Sequence, residues 1–348
     1  MRGNIFSVSI LALATLQGSH AVSPARPIKP LPAERHFRSI RQLTFGGENA
    51  EAYFSHDGKW LTLQSTRNGH PCDQQYIMRI DGTGVRRISD GRGKTTCGWF
   101  FPGDRRLFFA STSAHDSVCP PKPDPSKGYV WPLDRYDIYT INRDGTGLRR
   151  LTHYDVYTAE GVLSPDGRRI VFTSLKDGDL DIYTMNADGT DVRRLTNTPG
   201  YDGGAWWSPD GKQIVYRANH PSDSTELRAY RDLLAQRLVR PARVELFIMN
   251  ADGSNQRQIT HLGGANFGPS WTPDGKRIIF ASNYQSPRSG NFDLFLVNPD
   301  GTGLEQITFE QSFDGFPMFS PNGKQLVWAS NRHAGKPSET NVFVAEWQ

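Results

Sequence analysis

The sequence predicts an all-β fold: a six-bladed β-propeller closed by its own N-terminal strand, with one helical insertion in blade four. Three observations predict it. One turn motif occurs six times, a second occurs five times, and the step from second to first is constant. Composition agrees. The 348 residues include 34 Gly and 23 Pro, and aromatics reach 11%, which suits many short strands joined by tight turns.

The first motif is Ser-Pro-Asp-Gly. It stands at Ser164–Gly167 and Ser208–Gly211, with variants at Ser55–Gly58, Thr272–Gly275 and Ser320–Gly323 and a degenerate copy at Phe101–Asp104. The second is Asp-Gly, at Asp81, Asp144, Asp188, Asp252 and Asp300. Pro presets one turn dihedral and Asp-Gly tolerates positive φ, so both read as hairpin turns. From each Asp-Gly to the next first turn the step is 22 residues, as from Asp188 to Asp210, whereas the other half of the unit varies in length. Each unit carries four strand signals, seen at Ala205–Ser208, Gln213–Arg217, Leu246–Asn250 and Arg257–Thr260. Four antiparallel strands per unit form a propeller blade.

The ends complete the count. After Asn322 only 26 residues remain, enough for two more strands and not three. Ser39–Thr44 matches the fourth-strand pattern of Leu148–Thr152, so the N-terminal strand is expected to complete blade six and remove the open edge. Ahead of it, Met1 and Arg2 precede an apolar run from Ile5 to Leu16, and Ser19-His20-Ala21 supplies small residues before a cut. The expected domains are a signal peptide at 1–21, a Pro-rich linker at 22–35 and the propeller at 36–348. No apolar run reaches the ~18 residues of a membrane span, so no membrane insertion is expected. Formal charge is +4 with both signs interspersed, which excludes a nucleic-acid footprint.

Two connections are long. Ser113–Tyr136 holds Pro120, Pro121, Pro123 and Pro125 and is not helical there. Asn219–Arg240 reads as a helix with Ser224 as cap, with Leu227, Tyr230, Leu234 and Leu238 on one face packed against the propeller itself.

The repeat resembles that of the TolB β-propeller family. Asp181-Ile182-Tyr183-Thr184-Met185-Asn186-Ala187-Asp188-Gly189-Thr190, followed by Arg193-Arg194-Leu195-Thr196, is a near-consensus copy. The resemblance covers about residues 36–348 and implies a propeller of the cell envelope. With only about 15 residues between the expected signal peptide and the first strand, the N-terminal α/β domain that serves TolB in the Tol–Pal system is not expected here. No G-x-S-x-G elbow of a propeller-bearing peptidase occurs.

Blade topology puts both Asp-Gly turns on one face and the variable loops on the other, where function concentrates. Aligned on the first turn, the inner strands begin with Asn49, Thr95, Thr158, Asp202, Asn266 and Asp314, expected to ring the channel mouth on the loop face. Two places further stand Glu51, Cys97, Glu160, Gly204, Gly268 and Phe316. Binding is assigned to the first set together with Glu51 and Glu160; strand-start capping is the competing reading of the first set. The last inner-strand residues, from Phe54 to Phe319, are expected in the core between blades. Arg86-Arg87, Arg149-Arg150 and Arg193-Arg194 are expected to guard the outer edges.

His70, His115, His220 and His333 share the loop face with Cys72, Cys97 and Cys119, but no C-x-x-C spacing marks a metal site, and no cofactor or metal is expected. One disulfide between two of the three cysteines is expected in an exported chain. The function expected is a non-catalytic scaffold, periplasmic or secreted and monomeric, that binds an envelope protein or peptide at the loop face. The alternative is a propeller enzyme, a polysaccharide lyase or hydrolase, with Asp202, Asp314, Glu51 and Glu160 as acid/base groups.

Overall fold

A computed structural model describes residues 25–348; the expected signal peptide lies outside them. Six antiparallel sheets stand in sequence order around an axis. Blade one runs Asn49–Phe54, Trp60–Ser65, Gln74–Arg79 and Arg86–Arg87 from the axis outward. Blade three repeats it with Thr158–Leu163, Arg169–Ser174, Asp181–Asn186 and Arg193–Arg194. The middle strands are buried nearly end to end, because both faces of a blade pack against neighbours. In blades one to five the outer strands are only two residues long, which leaves little edge to pair with another chain. Two of their arginines turn inward. Arg150 and Arg194 reach Asp137 and Asp181, buried on the third strands, at 2.6 and 2.5 Å.

The turns follow their sequence. Ser164 Oγ donates to Asp166 Oδ1 at 2.6 Å, and the amide of Arg168 donates to the same oxygen. Gly301 has φ +88°, and a Cβ there would stand 2.4 Å from the Ile259 carbonyl of the preceding blade. The second turn therefore needs glycine for its conformation and for close blade stacking.

The N-terminal strand closes the ring. Phe37–Gln42 pairs with Asn341–Trp347, with Ile40 opposite Ala345, and that strand continues to Gln325–Ser330 and Asp314–Phe319. The stretch expected as linker adds a strand of its own: Arg26–Ile28 pairs outside Phe37–Gln42. Arg332, 3% exposed, grips the seam between Glu34 at 3.0 Å and Asp314 at 2.9 Å.

The two insertions meet over the loop face. Trp131–Pro132 from blade two pairs with Leu238–Val239 from blade four. The helix is shorter than its periodicity suggests and spans Ser224–Leu234. Its cap is Asp223, whose carboxylate accepts from the amides of Thr225 and Glu226. Tyr230 and Leu234 pack on the blade, and the Tyr230 hydroxyl bonds the Gly200 carbonyl at 2.9 Å. The Pro-rich loop is tied down by a disulfide, Cys72–Cys119, with Cα atoms 5.8 Å apart; Cys97 is free and buried.

Candidate functional site

All six inner strands carry a β-bulge at the same place. Its first residue is left-handed in every blade: Glu51, Cys97, Glu160, Gly204, Gly268 and Phe316, with φ between 49° and 60°. Four of these are not glycine, and each costs roughly 1–3 kcal/mol of backbone strain. A bulge re-aims its side chain. Here it aims one residue from each blade at the axis, and all six line a cavity of about 390 Å³.

The cavity is closed toward the turn face by Tyr53 and Trp206, backed by Trp99, the three ring centroids lying 4.8–5.4 Å apart. Its loop-face side is walled by Tyr157 and Tyr201 and roofed by Trp131, Leu133 and Val239 of the insertions. Glu160 is bonded through both carboxylate oxygens, two of its three contacts falling on Oε2. It pairs with Arg217, accepts from Thr173 Oγ1 at 2.7 Å and accepts from the Gly204 amide at 2.9 Å. Arg217, 5% exposed, lies against the Trp131 and Tyr201 rings and donates from Nε to the Tyr201 hydroxyl at 2.7 Å. Burial works against its charge, but Glu160 and Tyr201 hold its pKa above the usual arginine range. Gly204 makes the room: a Cβ there would stand 2.5 Å from Arg217 Nη1.

Glu51 differs. Its hydrogen-bonding neighbours are the Tyr53 hydroxyl at 3.5 Å and the Cys97 thiol. Burial pushes its carboxyl up to about 7, the Cys97 contact opposes this, and Glu160 adds to it. Burial also pushes the Cys97 thiol well up, which removes thiolate character at neutral pH.

The strand-start residues do not ring the mouth. Asn49, Thr95, Thr158, Asp202, Asn266 and Asp314 are all 0% exposed. Asn49 Nδ2 donates to the Gly46 and Thr340 carbonyls, and Asn266 Nδ2 to the Val244 carbonyl. Thr158 bonds Ser174 at 2.9 Å, Asp202 bonds His220 at 3.0 Å, and Asp314 holds Arg332 and the Trp328 indole. They pin each strand start to its neighbours beneath the crossing loops. Glu51 and Glu160 alone among the expected binding residues line the cavity.

The histidines stay apart. His70 meets Arg87, His115 lies between Asp137 and Asp155, and His220 meets Asp202. Among the described residues no group of three His, Cys, Asp or Glu side chains is placed to hold a metal ion.

A side groove of about 1,210 Å³ shares Tyr129, Trp131, Phe267 and Phe313 with the cavity. Arg240, Arg243 and Arg288 line it, and no acidic residue does. Sequence reading missed this groove and the Arg217 bridge. Neither has a repeat position to mark it.

The TolB beta propeller domain family matches residues 132–236 and 231–336. A putative TolB from Agrobacterium tumefaciens superposes with a TM-score of 0.59 at 19% identity, covering 87% of this chain and 91% of that one. A gluconolactonase from Xanthomonas campestris gives 0.60 at 14%, covering 93% and 95%. An oligogalacturonate lyase from Vibrio parahaemolyticus gives 0.54 at 12%, covering 92% and 96%. At these identities the likeness shows the fold alone. Dipeptidyl-peptidase 5 from Porphyromonas gingivalis is 51% identical over 39 residues, which span 11% of this chain and 6% of that protein.

Proposed function

The chain belongs to the TolB beta propeller domain family, and on that premise we propose that it is a non-catalytic scaffold of the cell envelope that takes a segment of a protein or peptide partner at its loop face. The observation that carries this is the continuity of the side groove with the axial cavity through four shared aromatic residues. An extended chain rises ~3.3 Å per residue, so several residues fit along the groove with one side chain turned into the cavity. Rigid aromatic walls are the usual anchor for such a side chain. The arginines of the groove favour acidic residues beside that anchor. Export is supported by the Met1–Ala21 pattern and by the Cys72–Cys119 disulfide, a bond that persists in oxidising compartments.

The test is selection of peptides from a random display library on the full chain, then titration against Ala50→Trp. Ala50 lines the cavity from a partly buried position, so the larger side chain fills it. Loss of roughly tenfold or more in affinity is expected for a filled anchor pocket. Selected peptides that bind the variant as tightly as wild type overturn the proposal.

A second reading, a lyase or hydrolase acting at the channel mouth, is favoured by one observation. The Glu51 carboxyl, near 7, is suited to general acid–base work. That reading expects substrate turnover that Glu51→Gln abolishes; the scaffold expects none.

A further inference from the structure

The charges of the cavity do not balance locally. Arg217 is taken up by Glu160 and Tyr201. Lys94 lies on the lining and acts on Asp73 and Asp134. Glu51 makes no ion pair among the described residues; Glu160 and Asp73 repel its charge, and Arg217, already bound to Glu160, offsets them only in part. Around it stand the faces and edges of Tyr53, Tyr157 and Trp206, all on the cavity wall. A carboxylate without a bonded counter-ion inside an aromatic chamber is complementary to an organic cation, which gains from the charge and from the ring faces together.

The donor set narrows the class. A divalent metal wants six or more oxygen ligands, and the aromatic wall does not supply them. A quaternary ammonium has no N–H and would leave the Glu51 oxygens unmet. A guanidinium would face Arg217 across the same Trp131 ring. A primary ammonium carries three donors on one compact atom, matching Glu51, the remaining acceptor capacity of Glu160 and a tyrosine oxygen.

We infer that the axial cavity binds a primary ammonium group against Glu51, presented by the partner as its chain N-terminus or a lysine side chain. This rests on a peptide partner entering at the loop face. Binding then requires the ionised carboxylate, so affinity falls as pH drops below about 7, where the Glu51 proton must first leave. Above that pH it is flat until the ligand amine deprotonates, near ~8 for an N-terminus and ~10.4 for lysine.

The experiment follows tryptophan fluorescence of the full chain, since Trp131 and Trp206 line the cavity and Trp99 packs behind Trp206. The probes are hexylammonium, its neutral isostere hexanol, and display-selected peptides with free or acetylated N-termini, with and without lysine. Hexylammonium is expected to bind roughly tenfold or more tighter than hexanol at pH 8, since both share the apolar chain and one carries charge. That preference should shrink about tenfold per pH unit below 7 and vanish in Glu51→Gln. Glu51→Asn, which tolerates left-handed backbone better, serves where the first variant folds poorly. Peptides should lose affinity on acetylation if the N-terminus enters, or on loss of lysine if the side chain does. An equal affinity for hexanol, or a preference that survives both variants, overturns the ammonium site. Peptides that need an open cavity but neither amine also overturn it, and leave peptide binding standing. Glu51-dependent amine binding without cavity-dependent peptides upholds the site and overturns the peptide role.

Discussion

Arg217 is the side chain on which the axial cavity depends, and its partner shows how. Glu160 sits on left-handed backbone with its carboxylate aimed inward, and Arg217 crosses from blade four to meet it. Replacing Arg217 by Met leaves a buried carboxylate without its counter-charge, a change that costs about 3–5 kcal/mol. Adding Glu160→Gln removes the stranded charge, so the double variant should recover most of that loss in urea unfolding. A double variant no more stable than Arg217→Met alone shows that the ion pair is not what the site loses. Part of this was legible. Alignment on the first turn put Glu51 and Glu160 at one repeat position, and that position is the bulge. It did not reveal positive φ at all six, because Glu, Cys and Phe carry no left-handed signature as glycine does. The same alignment placed Asp202 and Asp314 at the mouth. The strand start lies beneath the crossing loops, where a polar side chain bonds its neighbours instead of facing solvent.

At the scale of elements, the two insertions read differently from sequence for a physical reason. Apolar periodicity from Leu227 to Leu238 predicts helix to Arg240, but the helix ends at Leu234. The chain must reverse there to set Leu238–Val239 against Trp131–Pro132, and tertiary pairing overrides the local pattern. Asp223 displaces Ser224 as cap because its carboxylate takes two amide protons. The Pro-rich loop holds one half of the roof and is anchored by Cys72–Cys119 across 47 residues of chain. Reduction, or Cys72→Ser with Cys119→Ser, should lower unfolding free energy by roughly 2–4 kcal/mol. It should also speed proteolysis between Ser113 and Tyr136, seen as an early internal cut on a gel. Cleavage that stays as slow as in the oxidised protein would mean that the loop is held by its pairing with Leu238–Val239 alone.

The whole ring was the most legible level, because the 22-residue step and the turn motifs report strand count and closure without side-chain detail. Removing residues 22–45 takes away Phe37–Gln42, Arg26–Ile28 and the Glu34 partner of Arg332. The truncated chain should lose its cooperative urea transition, and an unchanged midpoint would sink closure as a source of stability. Acidity should act on the ring as a whole. Burial pushes the carboxyls of Glu51 and Asp293 up to about 7 and those of Asp73 and Asp181 to about 6. In the unfolded chain they titrate near ~4. Between those values the folded state holds protons that the unfolded state has released, so stability is complete below the unfolded value and declines as pH rises through 6 to 7. The turn aspartates work in the opposite sense. Asp166, Asp188 and Asp210 are held below their ordinary value, first by Ser164, Thr190 and Ser208 hydroxyls. Their contribution is present above ~4 and lost as pH falls below it. The two sets together place maximum stability in acid solution, about pH 4 where the unfolded carboxyls titrate, rather than at neutrality. Urea midpoints measured from about pH 2.5 to 8 should rise to about pH 4 and then fall, and Glu51→Gln with Asp293→Asn should flatten the alkaline side alone. A midpoint that climbs steadily from pH 5 to 8 would mean that the buried carboxylates find compensating charge when ionised, and that Glu51 is not the uncompensated group of the cavity.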